Sequence, residues 1–261
     1  MKSLSQNLLK AYAKLTQKKY RLSERKFLVE GVHLVEEALK SDWNVEAVIV
    51  SDHGLVKEIG GLEQLDVARK TDLYECPGKE FKKLTDTVTS QGIVAIVRMK
   101  EYQAENFWKI LPARRLVIAL DDVADPGNVG TILRTCDWFG VDGVILSNDS
   151  VELFNPKVLR STMGAVFHLP IFRDADLASM LEYGKTLSFR IITTVLNAGT
   201  TLDRFSFPSK SIVVFGNEAR GISQLIQRLA DESISIPKFG NAESLNVGVA
   251  CGIILNAVCG R

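Results

Sequence analysis

Apolar residues recur at helical spacing at the start of the chain and then form short runs that alternate with helical patterns. The apolar face of a first predicted helix is formed by Leu4, Leu8, Ala11, Tyr12 and Leu15. The next predicted strands are 27–29, 45–50, 67–68 and 93–97, with predicted helices at 32–39, 55–62 and 78–84. This alternation predicts a small α/β unit in the first hundred residues.

A polar stretch at residues 100–112 separates this unit from a second α/β series, so we predict domains at 1–105 and 112–261. Its predicted strands are 116–120, 144–146, 165–169, 190–195, 211–215 and 233–236, with helices at 129–139 and 245–258. The first strand is entirely apolar, as in a sheet that is covered on both faces. Strand, helix and strand at this spacing predict a parallel sheet.

The formal net charge is only +1, so any affinity for nucleic acid must come from a local patch. Residues 1–26 supply one, because their eight lysines and arginines face a single acid, Glu24. The patch is either a solvated helix face or a surface that contacts phosphates.

Cysteine and histidine usage argues against a metal site. The four cysteines show no paired spacing and the three histidines are dispersed, which is typical of reduced, packed thiols. The start of the chain has no apolar signal core, and the longest apolar stretch, 245–259, is too short to span a bilayer. We therefore predict a soluble, cytoplasmic protein without a bound metal.

Residues 125–134 follow the first strand of the second series, at the carboxyl edge where open α/β sheets bind ligands. Asn128 could cap the following helix, and Arg134 could make a forked contact with a phosphate or carboxylate. The alternative is a simple turn followed by a surface arginine.

Residues 216–221 follow a later strand, and Gly216 would let a ligand approach the backbone closely. The segment is neither a dinucleotide fingerprint nor a P-loop, and Glu218 argues against a site built only for phosphate. A glycine-tolerant connection is the alternative.

Residues 236–247 lead into the last helix, where Ser244 would suit a helix cap. Asparagine is a mediocre helix former, so the amide of Asn246 either satisfies a neighbouring loop or holds a ligand. Gly248 and Gly252 keep one side of this helix thin, as close backbone contact requires.

Together these segments resemble the three signature motifs of the SpoU (TrmH-type) RNA 2′-O-ribose methyltransferases. Asn128 to Arg134 resembles N-x-G-x-x-x-R, residues 214–222 match an apolar pair with G-x-E-x-x-G, and residues 236–250 match I-P…S-L-N-V-x-x-A. The first half is similar to the ribosomal-protein-like RNA-binding domain that precedes the catalytic domain in several members. One departure is Gly248, which stands where relatives often have a second serine.

The resemblance implies a SPOUT-type parallel α/β sheet whose C-terminal segment is threaded into a trefoil knot. It also implies a homodimer in which both subunits contribute to each site, and S-adenosylmethionine as the methyl donor. The cofactor contacts implied are Leu196, Gly216, Asn217, Ile236, Leu245 and Asn246. The catalytic set implied is Arg134, Asn128, Glu218, Ser244 and Asn246.

Under this interpretation Arg134 binds the phosphate beside the target ribose and lowers the pKa of the 2′-hydroxyl, since a guanidinium is a poor base. The basic N-terminal segment becomes an RNA-contacting arm formed by Lys14, Lys18, Lys19, Arg21 and Arg25. Ribosomal RNA is the expected substrate. The alternatives are tRNA, a non-catalytic RNA-binding or ribosome-assembly factor, and a conventional doubly wound nucleotide-binding enzyme.

Overall fold

The computed structural model of the protein describes residues 1–52, 71–111 and 115–259. These residues form two compact units: Met1–Lys100 with Phe154–Phe167, and Glu101–Leu153 with His168–Arg261. The predicted helix at 55–62 and the strand at 67–68 lie outside the described residues. The domain limits at 105 and 112 stay a prediction.

The first unit is built on a five-stranded mixed sheet with the spatial order β1-β4-β3-β5-β2. Its strands are β1 (Lys2–Ser3), β2 (Lys26–Glu30), β3 (Val45–Val50), β4 (Asp72–Glu75) and β5 (Ile93–Arg98). Among the described residues before position 100, its helices are α1 (Gln6–Ala13), α2 (Lys18–Glu24), α3 (Val32–Lys40) and α4 (Gly78–Phe81). Short 3-10 helices, Lys14–Thr16 and Lys82–Leu84, extend α1 and α4. Leu4, Tyr12 and Leu15 of the predicted apolar face are buried, which confirms an amphipathic N-terminal helix. Ala11 of that face is exposed, and Leu9, which lies outside the predicted face, is buried.

A segment from the second half of the chain completes this first unit. Phe154 stacks on the ring of Phe27 at 4.3 Å, and Phe167 meets the ring of Trp43 edge-on at 5.5 Å. The segment forms helix Pro156–Thr162 and a 3-10 helix, Ala165–Phe167. The predicted strand at 165–169 is therefore wrong, because this apolar run is buried among aromatic rings instead of pairing in a sheet. The strand begins after Pro170, at Ile171–Ala175.

The second unit contains a seven-stranded sheet with the order β10-β12-β9-β11-β6-β7-β8, and every pairing is parallel. Its strands are β6 (Arg115–Asp121), β7 (Gly143–Ser147), β8 (Ile171–Ala175), β9 (Arg190–Thr194), β10 (Thr200–Thr201), β11 (Lys210–Gly216) and β12 (Glu232–Ser235). Its helices are α5 (Ala104–Ile110), α6 (Pro126–Trp138), α8 (Leu177–Thr186), α9 (Gln224–Leu229) and α10 (Val247–Cys259), and α7 is Pro156–Thr162 of the first unit. The predicted parallel α/β sheet is confirmed. The trefoil knot stays a prediction.

Helix α5 lies within the stretch that its polar composition marked as a linker. It buries Phe107 and Trp108 in the core of the second unit, at 0% and 2% exposure.

Within the described residues, no helix has the length and apolar character needed to cross a bilayer. No cluster of three potential metal ligands occurs in the same part of the chain.

Helices α6 and α10 pack closely because glycine lines their contact. A Cβ built on Gly248 would lie 3.2 Å from the Thr131 methyl carbon and 3.2 Å from the Asn246 side-chain oxygen. One turn further on, a Cβ on Gly252 would lie 3.9 Å from the Thr135 methyl carbon. The thin side of α10, predicted from its two glycines, therefore packs against α6. A serine at position 248 would be crowded in this contact.

Candidate active site

The predicted site segments follow four strands that are neighbours in the sheet, in the order β12-β9-β11-β6. Because these strands are parallel, the loops that follow them leave from one edge. Leu196 follows β9, residues 217–221 follow β11, Ile236 follows β12, and the turn before α6 follows β6. This common edge of the sheet is the candidate active site.

Three predicted residues from distant parts of the chain meet through their side chains. Asn128 on α6 donates its amide hydrogen to Glu218 Oε1 over 2.8 Å. Asn246 in turn donates its amide hydrogen to Asn128 Oδ1 over 2.9 Å. We call Asn128, Glu218 and Asn246 the amide network. It joins the turn after β6, the loop after β11 and the start of α10.

Both ends of the amide network fix the orientation of its two asparagine amides. An ionised carboxylate only accepts hydrogen bonds, so Asn128 must present its NH₂ group to Glu218 and its oxygen to Asn246. At the other end, Asn246 Oδ1 accepts the backbone N–H of Gly248 at 2.9 Å and of Val249 at 3.3 Å. Reversing either amide would set like groups against each other, so the network has one arrangement.

Several hydrogen-bond donors converge on Glu218 and stabilise its ionised form. Partial burial raises its pKa, but hydrogen bonds from the Asn128 side chain and from backbone amides outweigh burial and leave the pKa below its ordinary value. The backbone donors include Ala124 N at 3.4 Å and Asp125 N at 3.3 Å. A carboxylate held in this way is a weak base, and it serves better as an anchor for Asn128.

Two predicted helix caps are wrong. Asp125 caps α6, and its side chain accepts the backbone N–H of Asn128 at 2.9 Å, so Asn128 lies inside the helix. An Asp followed by Pro126 at the first helical position is a readable start signal that the sequence interpretation missed. Asn246, not Ser244, holds the first N–H groups of α10. Ser244 is exposed and makes no side-chain hydrogen bond to another described residue.

A second set of contacts, which the sequence did not indicate, holds the same loops. Asp122 has a left-handed backbone with φ +60°, and its N–H donates to Ser147 Oγ at 2.9 Å. Its carbonyl accepts the Asn217 amide at 2.8 Å, and its carboxylate pairs with the Arg220 guanidinium. Asn217 Oδ1 accepts the backbone N–H groups of residues 219 and 220. Asp122 therefore anchors the loop after β11 to the turn after β6.

Gly216 ends β11 where the loop folds back on itself. A Cβ at this position would lie 2.4 Å from the carbonyl carbon of Gly221 and 2.4 Å from the nitrogen of Ile222. The backbones of Asn217 and Gly221 bond to each other in both directions, at 3.0 Å and 2.9 Å. Only glycine fits this tight loop, so the expected close approach occurs within the protein itself.

Arg134 stands apart from the amide network. It follows Asn128 by six positions on α6, a rise of about 9 Å along the helix axis. Its side chain is exposed, and no hydrogen bond or ion pair joins it to another described residue. Trp138, one turn further along the same face, is 85% exposed. The guanidinium is thus available to a ligand or to another chain.

The remaining predicted cofactor contacts are apolar side chains on loops at the same sheet edge. Leu196 is 66% exposed and Leu245 is 48% exposed, while Ile236 is half-buried. The two leucine side chains are therefore accessible to a ligand.

The predicted RNA arm is exposed at four of its five positions. Lys14, Lys18, Lys19 and Arg25 are exposed, and the amino groups of Lys14 and Lys19 lie 5.4 Å and 6.0 Å from the ring centre of Tyr20. Arg21 is different, because it is buried and donates to the carbonyls of residues 15 and 16 at 3.0 Å and 2.8 Å. This position corrects the prediction for Arg21, which stabilises the turn between α1 and α2.

Two family models match the chain, one in each half. The model of the SpoU rRNA Methylase family matches residues 115–256. The model of the MRM3-like substrate binding domain matches residues 6–95.

Known proteins resemble the chain over nearly its whole length. The 23S rRNA (guanosine(2553)-2′-O)-methyltransferase RlmP of Bacillus subtilis is 33% identical, over 98% of this chain and 97% of the relative. The crystal structure of an AdoMet-bound rRNA methyltransferase from Sinorhizobium meliloti has a TM-score of 0.85 at 30% identity, covering 98% of this chain and 95% of that one. An RNA 2′-O ribose methyltransferase structure has a TM-score of 0.77 at 27% identity, covering 98% and 96%.

Proposed function

Since the chain belongs to the SpoU rRNA methylase family, we propose that it transfers a methyl group from S-adenosylmethionine to a ribose 2′-hydroxyl of ribosomal RNA. The observation that carries this proposal is the amide network, in which the central polar residues of all three family motifs are joined by hydrogen bonds. These hydrogen bonds fix the loops that follow β6 and β11 against the start of α10, and a cofactor pocket at this sheet edge requires such fixed loops. RlmP is a bacterial protein, and since bacterial ribosomal RNA is cytoplasmic, we propose that this protein acts in the cytoplasm.

The loops at the sheet edge fit the proposed cofactor. The exposed side chains of Leu196 and Leu245 offer apolar surface for an adenine ring, and the ionised Glu218 supplies negative charge for a site that takes a sulfonium ion. Backbone groups of Gly216, Asn217 and Ile236 would complete the binding set. When bound, S-adenosylmethionine supplies a methyl group on positively charged sulfur, which leaves as a neutral thioether.

The chain itself must position the 2′-hydroxyl and help it to lose a proton. We assign Arg134 to the phosphate beside the target ribose, where its positive charge lowers the pKa of the hydroxyl. Glu218 does not take the proton in this scheme, because its hydrogen bonds lower its pKa and occupy its oxygens, so the proton passes to solvent water. Asn128 and Asn246 are positioning residues that hold the three loops together. Ser244 is exposed beside them and available to the substrate.

The direct test is methyl transfer from labelled S-adenosylmethionine to unmodified transcripts of 23S rRNA, 16S rRNA and a tRNA pool. The proposal expects 2′-O-methylation at one nucleotide of a ribosomal transcript. Methylation of tRNA alone would show that the substrate is tRNA, the alternative to ribosomal RNA. Binding of RNA without methyl transfer to any transcript would favour a non-catalytic factor.

We further propose that the protein acts as a homodimer through α6 and α10. These helices pack side by side, and each leaves apolar side chains in solvent: Trp138 at 85% exposure, Val249 at 52% and Ile253 at 39%. Apolar surface of this kind marks an interaction site. Arg134 lies on the same face of α6 as Trp138, so a second copy docked there would bring each Arg134 towards its partner.

Replacing Trp138 with glutamate, or Ile253 with lysine, should weaken the dimer about 30-fold or more, since loss of an interface hot spot costs about 2 kcal/mol. Sedimentation equilibrium measures the change, and methyl transfer should fall in parallel. Leu225→Lys is the matched control, because Leu225 is 58% exposed and belongs to a different helix, α9. Equal dissociation constants for wild type and both interface variants would contradict this interface.

The lysines of the predicted RNA arm should determine part of the salt dependence of RNA binding. Changing Lys14, Lys18 and Lys19 together to glutamine should lower the slope of log K against log salt for RNA binding by about 2 to 3, if each lysine neutralises one phosphate. Cofactor affinity should not change. Filter binding at several salt concentrations measures the slope, and an unchanged slope would remove these lysines from the interface.

Arg21→Met serves as the contrasting variant in the same segment. The substitution leaves the buried carbonyl of Leu15 and the partly buried carbonyl of Thr16 without this donor, at a cost of about 1–3 kcal/mol. We therefore expect a lower unfolding temperature and an unchanged salt slope, the reverse of the lysine variant.

A further inference from the structure

Phe239 is the most exposed aromatic side chain among the described residues, at 98% exposure. It lies in the loop between β12, which ends at Ser235, and α10, which begins at Val247. A phenylalanine ring left in water forfeits the stabilisation that burial would provide. Since no other described residue buries this ring, a bound ligand would be needed to cover it.

The loop is held at the end that adjoins the candidate active site. Asn246 is bound to Asn128 at 2.9 Å, and its oxygen caps α10. Phe239 precedes Asn246 by seven residues, so the ring lies within about 25 Å of the amide network even if the loop is fully extended. The ring is therefore close enough to contact RNA that flanks a ribose bound at the amide network.

We propose that Phe239 is a stacking platform for an unpaired base of the RNA substrate, with the adjacent Lys238 contacting its phosphate. This inference rests on the proposed function and adds a substrate contact to it. The ring has no polar atom, so its ligand must present a flat apolar face, which every base does. Both Lys238 and Phe239 are exposed, and aromatic rings beside cationic side chains are typical of single-stranded RNA recognition.

The surroundings of Phe239 favour RNA over a second copy of the chain. Residues 238–246 are all exposed and mostly polar, and they include Lys238, Asn241 and Glu243. Protein interface cores are depleted of charged residues, in contrast to this loop. A Cβ built on the neighbouring Gly240 meets nothing within 4 Å, so the rest of the described protein does not cover the backbone at this point.

The test compares four side chains at position 239 in the full-length protein: Phe, Ala, Leu and Trp. The probe is unmodified 23S rRNA transcribed in vitro, and the dissociation constant is measured by filter binding. Phe239→Ala should weaken binding about 5- to 100-fold, the range for loss of one base–aromatic stack. Phe239→Trp should stay within a few-fold of wild type, whereas Phe239→Leu should behave like alanine, because leucine is apolar but cannot stack.

Cofactor affinity and oligomeric state are measured on the same variants, with Leu225→Ala as the exposed apolar control. Unchanged RNA affinity in Phe239→Ala would overturn the inference, as would full rescue by leucine. A selective loss of cofactor affinity or of the dimer would assign the ring to one of those partners and equally overturn it. If wild type binds this RNA but methylates none, the proposed function fails while the binding comparison still decides the role of Phe239.

Discussion

Replacing Arg134 with lysine should lower the rate of methyl transfer at saturating substrate by about 100-fold or more, the effect of removing one preorganised donor from a developing negative charge. Lysine keeps the positive charge but loses the planar fork that matches a phosphate. The side chain is exposed and has no partner among the described residues, so the protein should fold normally. Single-turnover kinetics with the ribosomal transcript measures the rate.

The Arg134 experiment needs a control for the loss of any surface arginine. Arg228 on α9 is exposed in the same unit, and Arg228→Lys should leave the rate unchanged. Cofactor affinity should be unaffected in both variants, because the proposed contact of Arg134 is with RNA. A rate for Arg134→Lys within a few-fold of wild type would remove Arg134 from the centre of the mechanism.

Replacing Gly216 with alanine should weaken S-adenosylmethionine binding about 10- to 100-fold, since forcing a methyl group into a packed site costs about 1–3 kcal/mol. The new Cβ would lie 2.4 Å from backbone atoms of Gly221 and Ile222, which cannot rotate away. The loop after β11 must then open, and it carries both Asn217 and Glu218. Isothermal titration with the cofactor measures the loss.

Gly240→Ala is the matched control, because its Cβ would meet no atom within 4 Å and its backbone needs no special conformation. It should bind the cofactor as wild type does. The amide network predicts that Gly216→Ala also slows methyl transfer at saturating cofactor, through displacement of Glu218. Wild-type cofactor affinity in Gly216→Ala would show that the loop does not form part of the pocket.

Much of the fold could be predicted because local patterns carry it. The largely apolar runs at 45–50, 116–120 and 211–215 form central strands, since strands with neighbours on both sides are mostly buried. The run at 165–169 was misread because it is just as apolar. Its environment differs, because Phe154 packs on Phe27 and Phe167 packs on Trp43, within the first unit. Periodicity cannot distinguish these cases, because it does not specify the partner.

The candidate active site was likewise predictable in part from the sequence. The motif resemblance identified Asn128, Glu218 and Asn246 from sequence, and the structure joins them. The roles within the set were harder to predict. Ser244 and Asn246 are both plausible caps in isolation, and only the start of α10 at Val247 decides between them. Asp122 gave no sequence signal, because its contacts are with residues 25 to 98 positions away.

The sequence by itself therefore determined the family, the parallel α/β sheet and the identity of the residues that form the amide network. These properties follow from local patterns of apolar residues and from motif spacing. Only the tertiary structure decided that Arg21 is buried, that Asp122 anchors the loop after β11, and that Gly216 is packed against its own loop. Those outcomes depend on which distant atoms fill the space around a residue, and local sequence does not contain that information.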